Sequence, residues 1–88
     1  MIDNLITVFG CWWCGDCTWV RRFLEQHRIL YKWVDIDNDE NGEEFVVTTN
    51  NGMRSVPTIV FFDGSILVEP TVSELQNKLK TLLPSSEI

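Results

Sequence analysis

Between Leu5 and Asp37 the chain switches from strand periodicity to helix periodicity and back, and this limits the fold more than any other feature. Leu5-Ile6-Thr7-Val8-Phe9 is a short apolar, β-branched run ended by Gly10, the pattern of a strand buried on both faces. From about Gly15 to Gln26 the apolar Val20, Phe23 and Leu24 recur at helical spacing while Arg21, Arg22 and Glu25 take the other side, which predicts an amphipathic helix. Tyr31 to Asp37 is again rich in strand formers. A helical crossover between two strands makes them parallel, so a βαβ unit opens the protein.

The rest of the chain is equally well punctuated. Asp37 or Asn38 is placed to cap a second helix that runs through Glu40, Glu43 and Glu44 to about Thr49, with Asn51-Gly52 as its stop. Pro57 to Phe62, the pair Asp63-Gly64 and Ser65 to Glu69 form the strongest hairpin signal in the sequence. Thr71-Val72-Ser73-Glu74 has capping-box spacing, and Leu75, Leu79 and Leu82 give a last helix its apolar stripe, ending before Pro84. Ser85 to Ile88 reads as a frayed tail. The predicted order is β-α-β-α-β-β-α in one α/β domain over residues 1–88, because 88 residues do not build two cores.

Composition removes several function classes. A chain with 44% hydrophobic and 23% charged residues folds as an ordinary globular protein. Its formal charge of −6 opposes DNA, RNA and anionic lipid, and no apolar run approaches the roughly 18 residues of a membrane span. Met1-Ile2-Asp3-Asn4 lacks the basic and apolar regions of a signal peptide, so the expected compartment is the cytoplasm.

All three cysteines, Cys11, Cys14 and Cys17, lie within one short stretch, which reads as chemistry and not as a structural disulfide framework. Cys14-Gly15-Asp16-Cys17 is a C-x-x-C at the strand-to-helix junction, where unpaired backbone N–H groups and the helix dipole favour an anionic sulfur at Cys14. Cys17, one turn on and less exposed, is placed to attack a mixed disulfide at Cys14. Cys14 therefore attacks and Cys17 resolves. Gly15 and Asp16 tune this start: the Asp16 carboxylate suits the first helical turn but opposes a second anion at Cys14. Cys11 repeats the same two-residue gap but sits at the strand end, and reads as a small buried or half-exposed thiol or as a third participant. Three thiols do not complete a four-thiolate metal site in one chain, and no metal is expected. His27 reads as a packing residue or a complement to the helix dipole, Trp19 and Trp33 read as packing residues, and Trp12 and Trp13 either flank a substrate disulfide or close over the core.

These residues resemble a known family. The element order, Trp13-Cys14-Gly15-Asp16-Cys17 at the turn, and Ser55-Val56-Pro57-Thr58 before the third strand are similar to glutaredoxins of the thioredoxin fold. The runs Asn51 to Thr58 and Glu69 to Leu75 are most similar to the mycoredoxin branch. The resemblance implies a thioredoxin-like fold, β1-α1-β2-α2-β3-β4-α3, with a four-stranded mixed sheet flanked by helices. It implies a monomeric thiol–disulfide oxidoreductase acting on oxidised or thiolated proteins, with no bound cofactor and with mycothiol or glutathione as the electron donor. It places Trp13 at the rim of the substrate-thiol site, Pro57 in a cis bond facing the reactive cysteine, and the backbone of Val56 free to pair with an extended substrate. Taken without the resemblance, Pro57 reads as an ordinary trans proline at a strand start. Arg54 stands open between a ligand contact and a solvated surface charge. Two positions depart from glutathione-dependent members. Cys11 stands where a lysine is common, and Glu69-Pro70-Thr71-Val72-Ser73 replaces a Gly-Gly turn followed by acids, leaving Thr71, Val72 and Ser73 as the candidate contacts there. Two rival functions remain: a thioredoxin-like redoxin reduced directly by a flavin-dependent reductase, and a dimeric [2Fe–2S] carrier.

Overall fold

The computed structural model describes residues 5–84; the tail expected over 85–88 lies outside them. Seven elements follow one another: β1 (Ile6–Gly10), α1 (Gly15–Gln26), β2 (Tyr31–Asp35), α2 (Glu40–Thr49), β3 (Thr58–Val60), β4 (Ile66–Val68) and α3 (Val72–Leu82). The sheet order is β2-β1-β3-β4. β1 runs parallel to β2, with Ile6 opposite Tyr31 and Gly10 opposite Asp35, and antiparallel to β3, with Val8 opposite Ile59. β3 and β4 are antiparallel, Ile59 facing Leu67. This is the mixed four-stranded sheet of the thioredoxin-like fold.

Burial follows from the alternation of side chains along a strand. Ile6, Val8 and Ile59 meet Val20 and Leu24 of α1, Leu75 and Leu79 of α3, and Phe61 in one continuous core. α1 and α3 therefore share a face of the sheet. On the opposite face Phe9 stacks on Phe45 of α2 at 4.7 Å. Gly42 lets α2 approach β2, because a Cβ there would lie 2.6 Å from Val34 Cγ1. The expectation of a first strand sealed on both faces is corrected: Thr7 and Phe9 are only half-buried, since the single ten-residue helix α2 covers less of the sheet than α1 and α3 together.

Element boundaries also differ in two regions. The second strand stops at Asp35, where the backbone turns: Asp37 N–H donates to Asp35 Oδ1 at 3.1 Å and Asn38 Nδ2 donates to Oδ2 at 2.7 Å. The α2 cap thus falls on Asp39, whose Oδ1 accepts from Gly42 N–H at 2.8 Å, and not on Asp37 or Asn38. In the hairpin, Gly64 N–H donates to Phe61 O and Phe61 N–H to Ser65 O, both at 2.9 Å. With Gly64 at φ 87, this is a three-residue connection with a bulge at the glycine, so both strands are shorter than the apolar runs that announce them. The Thr71–Glu74 capping box is present as read, with Thr71 N–H donating to Glu74 Oε1 at 2.8 Å and Glu74 N–H to Thr71 Oγ1 at 3.1 Å.

Candidate active site

β1 ends at Gly10, and the chain turns through residues 11–14, closed by Cys14 N–H donating to Cys11 O at 3.4 Å. Cys14 is itself the N-cap of α1, with extended backbone at φ −91 and ψ 118. Its sulfur accepts the Cys17 N–H at 3.3 Å, and its carbonyl accepts from Thr18 Oγ1 at 3.1 Å. A sulfur stands where a serine or aspartate oxygen usually serves. The Cys14 sulfur thus faces the positive end of α1.

The other two thiols are buried, Cys17 at 0% exposure and Cys11 at 1%, while Cys14 is half-exposed. Only Cys14 meets solvent appreciably. The three Sγ atoms lie within 4.8 Å of one another. Gly10 makes the close packing possible: a Cβ there would sit 2.6 Å from Cys17 Sγ and 2.8 Å from the Trp33 ring. Burial pushes the Cys17 thiol far above its ordinary value, and the neighbouring Cys14 adds to the rise. Burial likewise raises Cys11, followed by the charges of Cys14 and Asp37. Among the described residues these thiols are also the cluster with metal-ligand spacing, one ligand short of a four-thiolate site.

The Val56–Pro57 bond is cis, as the resemblance implies and against the reading of an ordinary trans proline. The Val56 carbonyl faces Cys14 Sγ at 3.9 Å. Pro57 is buried, and its carbonyl accepts from Glu69 N–H at 2.9 Å, which carries the start of α3 alongside this edge. Thr71 spends both its N–H and its hydroxyl on the capping box, and Val72 and Ser73 are exposed.

Trp13 is exposed and donates its Nε1–H to Asp37 Oδ2 at 2.9 Å. Asp37 is in turn ion-paired with Arg54, whose Nε donates to Glu43 Oε2 at 2.6 Å. Arg54 is thus neither a lone ligand cation nor a simple solvated charge, because two carboxylates hold it. The Arg54 guanidinium and then the Trp13 N–H keep the Asp37 carboxyl below its usual range. The cap expected at Asp37 or Asn38 does not foreshadow this link. The signal was available in the parallel register: Gly10 opposite Asp35 sets the residues after β2 beside those after β1. Trp12 stays exposed, its ring packing at 5.2 Å on Trp33 with the Arg21 guanidinium 4.3 Å from one ring and 4.5 Å from the other.

A half-exposed thiol capping a helix on a thioredoxin-like scaffold, backed by a buried thiol and facing a cis-proline edge, defines a class of thiol–disulfide exchange proteins. The comparisons narrow it. The glutaredoxin family model matches residues 6–67. A protein named as a glutaredoxin from Mycobacterium tuberculosis H37Rv is 40% identical over 79 residues, covering 90% of this chain and 94% of its own. Mycoredoxin 1 of Corynebacterium glutamicum is 31% identical over 77 residues, covering 88% and 95%. Among solved structures, a thioredoxin-like protein mutant superposes with a TM-score of 0.76 at 25% identity, covering 85% of this chain and 94% of its own. A buckwheat glutaredoxin–glutathione complex superposes with a TM-score of 0.68 at 23% identity, covering 92% and 76%, and supports the fold. The chain belongs to the glutaredoxin family of thiol–disulfide oxidoreductases. That membership implies a low-molecular-weight thiol as electron donor. No helix among the described residues is long and apolar enough to cross a membrane.

Proposed function

We propose that the protein is a monomeric cytoplasmic reductase of protein disulfides and of protein–thiol mixed disulfides, with Cys14 as nucleophile and Cys17 as resolving thiol. The observation that carries this reading is the Cys14 sulfur capping α1 at the surface while Cys17 lies buried one turn behind it. The Cys14 thiolate attacks a substrate sulfur, a Cys14–substrate disulfide forms, and the other substrate sulfur leaves as a thiol. Cys17 then attacks Cys14, its proton passes to the departing substrate, and a Cys14–Cys17 disulfide remains. Mycothiol or glutathione returns two electrons; the resemblance to mycoredoxin 1 favours mycothiol.

Val56 offers its backbone to an extended substrate beside Pro57, and Trp13 forms an apolar wall whose tilt is held by Asp37. Arg54 keeps a cation on the same rim, where a substrate carboxylate competes with Glu43 for the guanidinium. Thr71, Val72 and Ser73 border the far side, and Gly15 and Asp16 set the field around Cys14. The test is a coupled disulfide-reduction assay with mycothiol, glutathione and a flavin-dependent thioredoxin reductase in parallel. Activity with mycothiol that Cys14→Ser abolishes is the expected result. Turnover by the flavin reductase alone would assign the chain to directly reduced redoxins instead.

A further inference from the structure

The mechanism above leaves one thiol unused. Cys11 lies on the opposite side of Cys14 from Cys17 in sequence, three residues away in each direction, and all three Sγ atoms lie within 4.8 Å of one another. The turn closed by Cys14 N–H and Cys11 O at 3.4 Å holds the two Cα atoms within about 7 Å, overlapping the span of about 4.4–6.8 Å that disulfides use. We propose that Cys11 is a second resolving thiol, which attacks the Cys14 sulfur of a mixed disulfide and closes a Cys11–Cys14 disulfide. The step rests on the reading of Cys14 as the nucleophile.

In the mixed disulfide, Cys14 is bonded to a substrate sulfur. The Cys11 sulfur bonds to Cys14, the Cys14–substrate bond breaks, and the Cys11 proton passes to the departing thiol. Cys11 and Cys14 supply the two electrons that the substrate disulfide gains. At 1% exposure Cys11 does not meet a disulfide in solution, so it acts only on a sulfur already delivered to Cys14. The order of events favours it: once Cys14 is bonded to substrate, the Cys14 charge that opposes an anion at Cys11 is gone. The Asp37 carboxylate, tied to Trp13 and Arg54, opposes that anion throughout. The chain thus holds two alternative internal exits from one mixed disulfide, which makes a persistent substrate adduct short-lived even when Cys17 is blocked.

The experiment uses reduced Cys17→Ser and the double variant Cys11→Ser/Cys17→Ser, each mixed with one equivalent of bis(2-hydroxyethyl) disulfide. Samples are acid-quenched, alkylated in denaturant and weighed by mass spectrometry with disulfide mapping. Cys17→Ala, which buries no hydroxyl, is run in parallel, and circular dichroism verifies that each variant is folded. In Cys17→Ser and Cys17→Ala the adduct on Cys14 is expected to decay at least tenfold faster than in the double variant, leaving a Cys11–Cys14 disulfide. An adduct equally stable with and without Cys11 overturns this proposal alone. No adduct on Cys14 in the double variant overturns the nucleophile assignment, and this proposal with it.

Discussion

Sulfur burial separates the roles of three chemically identical side chains. Cys14 caps a helix at the surface, whereas Cys11 and Cys17 are sealed from water, so the same thiol is an acceptor of N–H groups in one place and a protonated core residue in the others. This has a pH consequence with a definite sign. Cys11 and Cys17 keep their protons in the folded, reduced chain at pH values where unfolded thiols, ordinarily near 9.0, have lost them. The unfolded state then binds fewer protons, so stability is fully present below pH 9 and falls as pH rises above it, by up to about 1.4 kcal/mol per pH unit for each thiol. Urea unfolding of the reduced protein at pH 7, 9 and 10.5 reads this slope, and Cys17→Ala should reduce it. Gly10 is the second sensitive residue. Gly10→Ala forces a methyl to within 2.6 Å of Cys17 Sγ and 2.8 Å of Trp33, an overpacking that costs about 1–3 kcal/mol. The melting temperature of the reduced variant should fall, and an unchanged melt would mean that α1 slides away from β1 without cost.

At the scale of the elements, the site is assembled from the ends of five segments: the β1–α1 turn, the residues after β2, α2, the loop before β3, and the start of α3. Their helix caps are made by side chains of the site region itself, Cys14 for α1 and Thr71 for α3. Thr71→Ala leaves the Glu74 N–H without its side-chain acceptor and should lower stability by about 1 kcal/mol, read as a shift in urea midpoint at constant slope. Because Glu69 pairs with Pro57, fraying of α3 reaches the cis-proline edge, so KM for a peptide disulfide should rise more than kcat falls. The Trp13–Asp37–Arg54–Glu43 link ties the β1–α1 turn to α2. Arg54→Gln removes the cation that holds the Asp37 carboxyl low, and the Trp13-dependent part of the fluorescence should then titrate at a higher pH than in the parent protein. Identical titrations in the two proteins would detach Trp13 from this link.

For the molecule as a whole, the charge of −6 is a term in the encounter with substrates. Electrostatic steering favours oppositely charged partners and is screened by salt over about 8–10 Å at physiological ionic strength. A lysine-rich peptide disulfide should be reduced faster than a glutamate-rich one of equal length at low salt, and the ratio should shrink as sodium chloride is raised. A ratio insensitive to salt would place recognition in the apolar rim of Trp13 and Val56 alone.

Whatever depends on neighbours a few residues apart was legible in the chain before folding. Seven elements in order, a helix that begins at a sulfur, the Thr71–Glu74 capping box and the hairpin at Gly64 are all written in local periodicity and turn chemistry, since each is stabilised within one element or one turn. The family resemblance extended that reading to the isomer of Val56–Pro57 and to its place opposite Cys14. Contacts across long stretches of chain were settled by packing. Asp37 meets Trp13 across 24 residues and Arg54 across 17, and no cap or turn signal encodes either contact. They follow from the parallel register of β1 and β2 and from where α2 comes to rest. The nearness of Cys11 to the reactive pair is short-range in sequence, yet it too depends on packing. Its spacing in sequence is plain, but whether its sulfur points to Cys14 or away is set by how tightly the turn after β1 closes and by how closely α1 packs over Gly10.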